Sequence, residues 1–186
     1  SKMEFRGWIT ELSSHQQDLA TPTPVGIPEK IASNYETILT EERLQHWLTQ
    51  LKQSDLFAFD TETTSLNYLD ARIVGLSFAV NAGEAAYLPL THDYAGAPEQ
   101  LNIDTVLALF KPLLEDPAQF KVGQNLKYDR HILLNHDIDL QGIQHDTMLQ
   151  SYVLDSTATR HDMDSLAEKY LGRTTIHFED IAGKGK

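Results

Sequence analysis

The chain has 186 residues, and 15 Lys and Arg against 27 Asp and Glu give it a net charge of −12. Its length suits one domain with a short additional segment, and its 41% hydrophobic and 23% charged residues exclude collagen, a disordered acidic tail and a membrane protein. The absence of cysteine excludes a disulfide scaffold, thiolate zinc sites and a cysteine nucleophile.

The first 34 residues differ in pattern from the rest of the chain. Residues 3–12 place apolar side chains at helical spacing, and residues 13–28 are rich in Ser, Gln, Thr and Pro. We therefore predict that residues 1–34 are the tail of an upstream domain plus a linker. The compact domain is predicted over residues 35–186.

The next predicted element is a helix that follows a possible N-cap, Thr40, and carries apolar residues at i, i+3, i+4 and i+7. Three strands come after it, and strands in direct succession favour an antiparallel start to a sheet. They are predicted at 56–62, 73–80 and 85–90, with a hairpin turn at 81–83.

In the second half of the chain, short strands alternate with helices. This order predicts an α/β fold with a mixed sheet, antiparallel at first and then parallel, and helices on both faces. The elements are a helix over 103–113 that Pro112 bends or ends, a strand at 120–123, and helices at 125–135, 148–154 and 163–171.

Two acidic residues end the first of the three strands. Because side chains alternate along a strand, Asp60 and Glu62 leave the same face, about 6.5–7 Å apart. Such a pair is costly at the end of an apolar strand unless a cation compensates it, and Arg72 is the only base in residues 53–110. Oxygen ligands favour Mg²⁺ or Mn²⁺. The alternative is a pair of solvated acids at a strand end.

A third carboxylate, Asp129, lies in the helix that follows the strand at 120–123. Asp129 stands four residues after Asn125, so both side chains share one face of that helix. Together with the phenol of Tyr128, they suit a site that holds both a metal ion and a substrate. The alternatives for Asp129 are a local contact within the helix and an ion pair with Arg130.

Four segments carry a resemblance to a known family: residues 59–63 (FDTET), 122–129 (VGQNLKYD), 160–167 (RHDMDSLA) and 178–186 (FEDIAGKGK). In this order they resemble the 3′→5′ proofreading exonuclease domain of bacterial DNA polymerase I. The resemblance runs from about residue 35 to residue 186, and it implies a ribonuclease-H-like fold. It also implies hydrolysis of the last phosphodiester of DNA by four carboxylates and two divalent cations, Mg²⁺ or Mn²⁺.

The resemblance assigns roles to single residues. Asp60 would bridge both cations, Glu62 would hold one of them and orient the attacking water, and Asp129 would support the other. The positions expected to contact the DNA strand are Leu66, Gln124, Asn125, Tyr128, Arg160 and Phe178. From the residues alone, Leu66 and Phe178 suit core packing equally well, and Arg160 suits a surface position beside Asp162.

One expected motif is absent from the sequence. The family carries a Tyr followed four positions later by an Asp, and neither Tyr152 nor Tyr170 has an Asp at that spacing. We therefore expect a monomeric fragment of a larger polymerase, truncated before its third motif and weak or inactive by itself. The expected partners are a single-stranded 3′ end of DNA and the polymerase domain of the parent chain.

One other function remains open at this stage: a catalytically silent spacer module that keeps the fold and only positions DNA or a neighbouring domain. A ribonuclease of the same fold is disfavoured, because the matched motifs beyond the carboxylates resemble those of the polymerase family. The absence of a secretory signal, and a longest apolar run, at 73–80, that is too short to span a bilayer, favour a cytoplasmic protein without membrane contact. The resemblance implies that this cytoplasm is bacterial. The His residues lack zinc spacing, and Asp146 is predicted to cap a helix.

Overall fold

A computed structural model describes residues 33–157 and 160–176. These residues form a six-stranded sheet in the order β1-β4-β3-β2-β5-β6. The strands are β1 (Asn34–Thr37), β2 (Leu56–Thr63), β3 (Ile73–Asn81), β4 (Glu84–Pro89), β5 (Phe120–Gly123) and β6 (Ile143–Asp146).

The sheet is mixed, as predicted. β2, β3 and β4 pair antiparallel, while β5 pairs parallel with β2, β6 parallel with β5, and β1 parallel with β4. β2 therefore lies in the middle of the sheet, between β3 and β5. The predicted hairpin turn is confirmed, because Gly83 adopts a φ of 87° between β3 and β4.

Five helices accompany the sheet in the described residues. Their predicted positions are confirmed to within one or two residues, and Thr40 caps the first helix as expected. They are α1 (Glu41–Gln53), α2 (Ile103–Leu114), α3 (Leu126–Leu134), α4 (Thr147–Leu154) and α5 (Met163–Leu171). None of these helices is long and apolar enough to cross a membrane.

The two faces of the sheet have different surroundings. The face that carries Phe57, Phe59 and Phe78 is buried in one hydrophobic cluster with the apolar sides of α1, α2 and α3. The opposite face carries Ala58 and Val122, where α4 and α5 leave an apolar groove of about 540 Å³. The hydrophobic effect therefore fixes β2 mainly from the first face, which leaves the second face available for chemistry.

One ionisable side chain lies inside the hydrophobic cluster. Lys121 of β5 is fully buried, and its Nζ donates hydrogen bonds to the carbonyls of Leu114 and Asp116, where α2 ends. Burial lowers the pKa of Lys121 to about 8. The ammonium thus satisfies carbonyl groups that the end of α2 leaves without helical partners.

Two details differ from the sequence-based predictions, and one prediction is not tested. The short strands β1 and β6 were not predicted, because each has only four residues and lacks an apolar alternation. α2 does not end at Pro112 but continues to Leu114, since a proline in the last turn removes only one hydrogen bond. The predicted helix at 3–12 and the linker at 13–28 lie outside the described residues, so the boundary between residues 34 and 35 stays a prediction.

Candidate active site

The alternation along β2 separates the side chains as the sequence predicts. Phe57, Phe59 and Thr61 are buried on the first face, whereas Asp60 and Glu62 are exposed on the opposite one. Asp60 pairs with Ser77 of β3 and Glu62 with Gly75. The two carboxylates therefore project from the central strand on the side that the core does not occupy.

Asp129 reaches the same strand from α3. It is 2% exposed, and its Oδ1 accepts hydrogen bonds from the backbone amide of Thr61 at 3.0 Å and from the Thr61 hydroxyl at 2.6 Å. Thr61 lies between Asp60 and Glu62, so these two bonds fix Asp129 next to the acidic pair. The alternative pairing with Arg130 does not occur, because Arg130 binds Asp139 at 2.8 Å.

The negative charge of the three carboxylates is not neutralised by neighbouring bases. In residues 33–157 and 160–176, no ion pair includes Asp60, Glu62 or Asp129. Although the Asp60 side chain is exposed by area, desolvation of its carboxyl, followed by the charges of Asp129 and Glu62, raises the pKa of Asp60 to about 7. Burial also raises the pKa of Asp129, against the hydrogen bonds from Thr61 that lower it.

The carboxylate oxygens of the site suit a hard divalent cation but do not complete its coordination by themselves. Asp60 and Glu62 share a face, and a cation beside them would relieve their repulsion. However, no group of three His, Asp or Glu side chains in the described part of the chain is arranged to hold a metal ion without other ligands. Water and phosphate oxygens, which Mg²⁺ accepts readily, would have to complete its coordination.

Asp146 serves two helices at once. Its carboxylate accepts hydrogen bonds from the amides of Met148 and Leu149 at the start of α4, which confirms the predicted cap. It also accepts from the amides of Asn125 and Leu126 at the start of α3. This buried carboxylate thereby fixes the beginning of the helix that carries Asp129.

Gln124 and Asn125 lie in the turn between β5 and α3. The Gln124 amide is bound within the protein, because its Nε2 donates to the His161 carbonyl and its Oε1 accepts from Thr147. Asn125 is the N-cap of α3, with a left-handed φ of 60° and no side-chain cap bond. The side-chain amide of Asn125 therefore makes no cap bond, whereas the side-chain amide of Gln124 is hydrogen-bonded at both its nitrogen and its oxygen.

Tyr128 and Leu66 flank the end of β2. The Tyr128 hydroxyl binds the Thr63 hydroxyl at 2.6 Å and donates to the Ser65 carbonyl at 2.6 Å, so it anchors the loop that follows β2. Leu66 in this loop is 93% exposed. Core packing, the alternative for Leu66, is therefore excluded.

Two further residues, Arg160 and Phe178, were predicted to contact the DNA strand. Arg160 is exposed and its positive charge lowers the pKa of Asp162, after the hydrogen bonds that Asp162 accepts from Ser165, so a surface position beside Asp162 is observed. Phe178 lies outside the described residues. No pattern in the sequence points to Thr61 as the partner of Asp129, since the two residues are 68 positions apart.

Comparison with known proteins gives consistent results. Residues 35–186 match a family model described as 3′-5′ exonuclease. DNA polymerase I of Pseudomonas aeruginosa is 52% identical over 186 residues, which cover 99% of this chain and 20% of the relative. The chain thus spans about a fifth of the length of that relative.

Solved structures share the fold at low sequence identity. Pol1 from M. smegmatis, in complex with DNA primer-template and dNTP, has a TM-score of 0.60 and 22% identity over 74% of this chain and 23% of that one. Brucella melitensis NrnC with bound Mg²⁺ has a TM-score of 0.53 and 18% identity over 78% of this chain and 65% of that one. These neighbours establish the ribonuclease-H-like architecture of the mixed sheet and its helices.

Proposed function

The chain belongs to the 3′-5′ exonuclease family of DNA polymerase I, and from this membership we propose that it removes nucleotides from a single-stranded 3′ end of DNA. The observation that carries the proposal is the position of Asp129, which Thr61 holds beside the like-charged pair Asp60 and Glu62. The members of this family use divalent metal ions, and the uncompensated carboxylates would hold two of them, Mg²⁺ or Mn²⁺. Asp60 would contact both.

The reaction needs no protein nucleophile. Water attacks the phosphorus of the last phosphodiester, the bond from that phosphorus to the 3′ oxygen breaks, and that oxygen takes up a proton released by the water. The products are a 5′-mononucleotide and a strand one nucleotide shorter that ends in a 3′ hydroxyl. Bound divalent cations supply positive charge for the attacking and departing oxygens. Among the residues of the chain, Glu62 orients the attacking water and Thr61 holds Asp129 in place through its two hydrogen bonds.

The residues proposed to contact DNA differ in what they offer. Leu66 presents an exposed apolar side chain to a terminal base, and Arg160 presents a charge to the phosphate backbone. Asn125 and Tyr128 lie next to Asp129 at the start of α3, while Gln124 would act through its bonds to Thr147 and His161. Stacking and backbone contacts of this kind suit removal of any nucleotide.

Of the two outcomes expected for the isolated 186-residue monomer, weak activity or none, we propose weak activity. It has three of the four carboxylates that the family pattern implies, and its net charge of −12 disfavours tight binding to DNA without help. We propose that the polymerase domain of a parent chain supplies the additional DNA-binding contacts. A bacterial cytoplasm is the proposed location.

A second candidate function has one observation in its favour. Because no three-residue metal group exists in the described residues, the domain could position DNA without cutting it. A ribonuclease activity has no comparable support. Whether the substrate is DNA or RNA depends on whether the site distinguishes deoxyribose from ribose in the bound strand.

The experiment uses the 186-residue chain with 3′-labelled single-stranded DNA and Mn²⁺ or Mg²⁺. We expect slow release of 5′-mononucleotides, abolished by Asp60→Asn and unaffected by Asp55→Asn, an exposed aspartate just before β2. Release that persists in Asp60→Asn would refute the proposal. Binding without any release would favour the silent module, and faster cleavage of RNA than of DNA would favour the ribonuclease.

A further inference from the structure

A tyrosine outside the predicted motifs lies on the same face of the sheet as the acidic pair. Ser77 of β3 pairs with Asp60 on one side and with Tyr87 of β4 on the other. Side chains at paired positions project from the same face. Tyr87 is therefore aligned with Asp60, across one intervening strand.

The Tyr87 hydroxyl occupies space that a glycine leaves open next to Glu62. A Cβ added to Gly75 would lie 2.1 Å from the Tyr87 hydroxyl oxygen. Gly75 pairs directly with Glu62, and Cβ positions of such pairs are about 4.5–5.5 Å apart. The phenol thus takes the place of the missing cross-strand neighbour of Glu62.

The electrostatics agree with this placement. Burial, and after it the negative charge of Glu62, raises the pKa of Tyr87 to about 12. A phenol is protonated at neutral pH and so has a hydrogen to donate. Its ring is half-buried, which restricts the positions that the hydroxyl can reach.

The side chain of His92 holds the Tyr87 phenol in position. The Tyr87 hydroxyl and His92 Nε2 are hydrogen-bonded at 2.6 Å, and the two rings meet edge to face. Gln100 fixes His92 by accepting from its amide at 2.8 Å and donating to its carbonyl at 2.7 Å. When His92 Nε2 carries the hydrogen, it donates to the phenol oxygen and frees the Tyr87 hydrogen for another acceptor.

We propose that Tyr87, held by His92 over Gly75, is a positioning residue that directs the Glu62 carboxylate, through its hydroxyl or through one water that Glu62 binds. This inference rests on the proposed exonuclease function and adds a specific group to it. Tyr87 acts through Glu62, while Glu62 acts on the water. The role requires the hydroxyl and its position, and the ring alone does not suffice.

Two variants change these two requirements separately. Tyr87→Phe removes the hydroxyl and retains the ring, whereas Gly75→Ala displaces the hydroxyl from beside Glu62 without altering any hydrogen-bonding group. Tyr94→Phe is the matched control, because Tyr94 also meets the His92 ring edge to face but is 59% exposed. Melting temperatures show which variants fold normally.

The first measurement needs neither metal nor DNA. In chain labelled with ¹³C at glutamate carboxyls, Glu62→Gln identifies the Glu62 signal. We expect that signal to shift in Tyr87→Phe and in Gly75→Ala, and to stay unchanged in Tyr94→Phe. An unchanged Glu62 signal in both test variants, with normal melting temperatures, overturns the inference.

The second measurement separates the inference from the function on which it rests. In the DNA assay, Tyr87→Phe should lower kcat about tenfold, the effect of one hydrogen bond, with KM and DNA affinity in EDTA unchanged. If Asp60→Asn leaves hydrolysis intact, or if there is none to measure, the proposed function fails and the carboxyl signal alone judges Tyr87. If Asp60→Asn abolishes hydrolysis while Tyr87→Phe keeps full kcat, only the positioning role is refuted.

Discussion

Replacement of Asp60 by Asn should remove activity and stabilise the metal-free protein in the same step. Desolvation, followed by the charges of Asp129 and Glu62, raises the pKa of the Asp60 carboxyl from 3.8 to about 7. The folded state therefore binds more protons than the unfolded state between these pH values, and stability falls as pH rises through that window. Above pH 7 the fold carries the full cost of the charge.

The size of that cost follows from the position of the side chain. A full rise of the pKa to about 7 corresponds to about 4 kcal/mol for an enclosed carboxyl. Desolvation is its largest cause, yet Asp60 is exposed by accessible area, so water screens part of the repulsion. With that screening we expect about 1–2 kcal/mol.

The assay is urea unfolding of both forms at pH 4 and pH 8 in EDTA. Asp60→Asn should be about 1–2 kcal/mol more stable than the unmodified chain at pH 8 and about equal to it at pH 4. Added Mg²⁺ should stabilise only the unmodified chain and narrow the difference. The control Asp55→Asn should follow the unmodified chain. The reasoning is wrong if Asp60→Asn is less stable than the unmodified chain at pH 8, or if the difference in their unfolding free energies is the same at pH 4 and pH 8.

Three further predictions concern the groups around the site. The pKa of Lys121 is lowered to about 8, so between pH 8 and pH 10.5 the unfolded state binds more protons than the folded state, and the stability of the unmodified chain should rise with pH. In urea titrations this rise should be absent from Lys121→Met and present in Lys52→Met, which replaces an exposed lysine. Thr61→Val should cost about 1.5–3 kcal/mol of unfolding free energy, because it removes a hydroxyl that donates to a buried carboxylate; an unchanged midpoint would mean that Asp129 finds another donor. Asp146→Ala should cost more than the ~1 kcal/mol of a single helix cap, since four amides lose their acceptor, and hydrogen exchange should accelerate at the starts of both α3 and α4.

The sequence predicts those parts of the fold that depend on neighbours along the chain. The apolar stripe of α1 and the alternation of β2 are local patterns, and burial follows them residue by residue. For the same reason Asp60 and Glu62 could be placed on one face in advance. The cap of α4 by Asp146 is likewise a local contact.

The rest depends on contacts between distant segments. The bond between Thr61 and Asp129 requires α3 to pack against β2, and the alignment of Tyr87 with Asp60 requires the register of three strands. Neither leaves a periodic signal in the chain. Gly75 illustrates the same limit, because its lack of a side chain has meaning only once the Tyr87 hydroxyl is known to lie over it.

The division of β2 between two environments restricts the kind of change that this strand can accept. Phe59, Asp60 and Thr61 serve, in turn, the interior, the open side and the helix that holds Asp129. An inserted or deleted residue before Phe59 would exchange these assignments, turning an aromatic ring outward and an acid inward. Length variation in β2 should therefore be far more damaging than replacement of any one of its side chains, and engineering of this region should keep the residue count fixed.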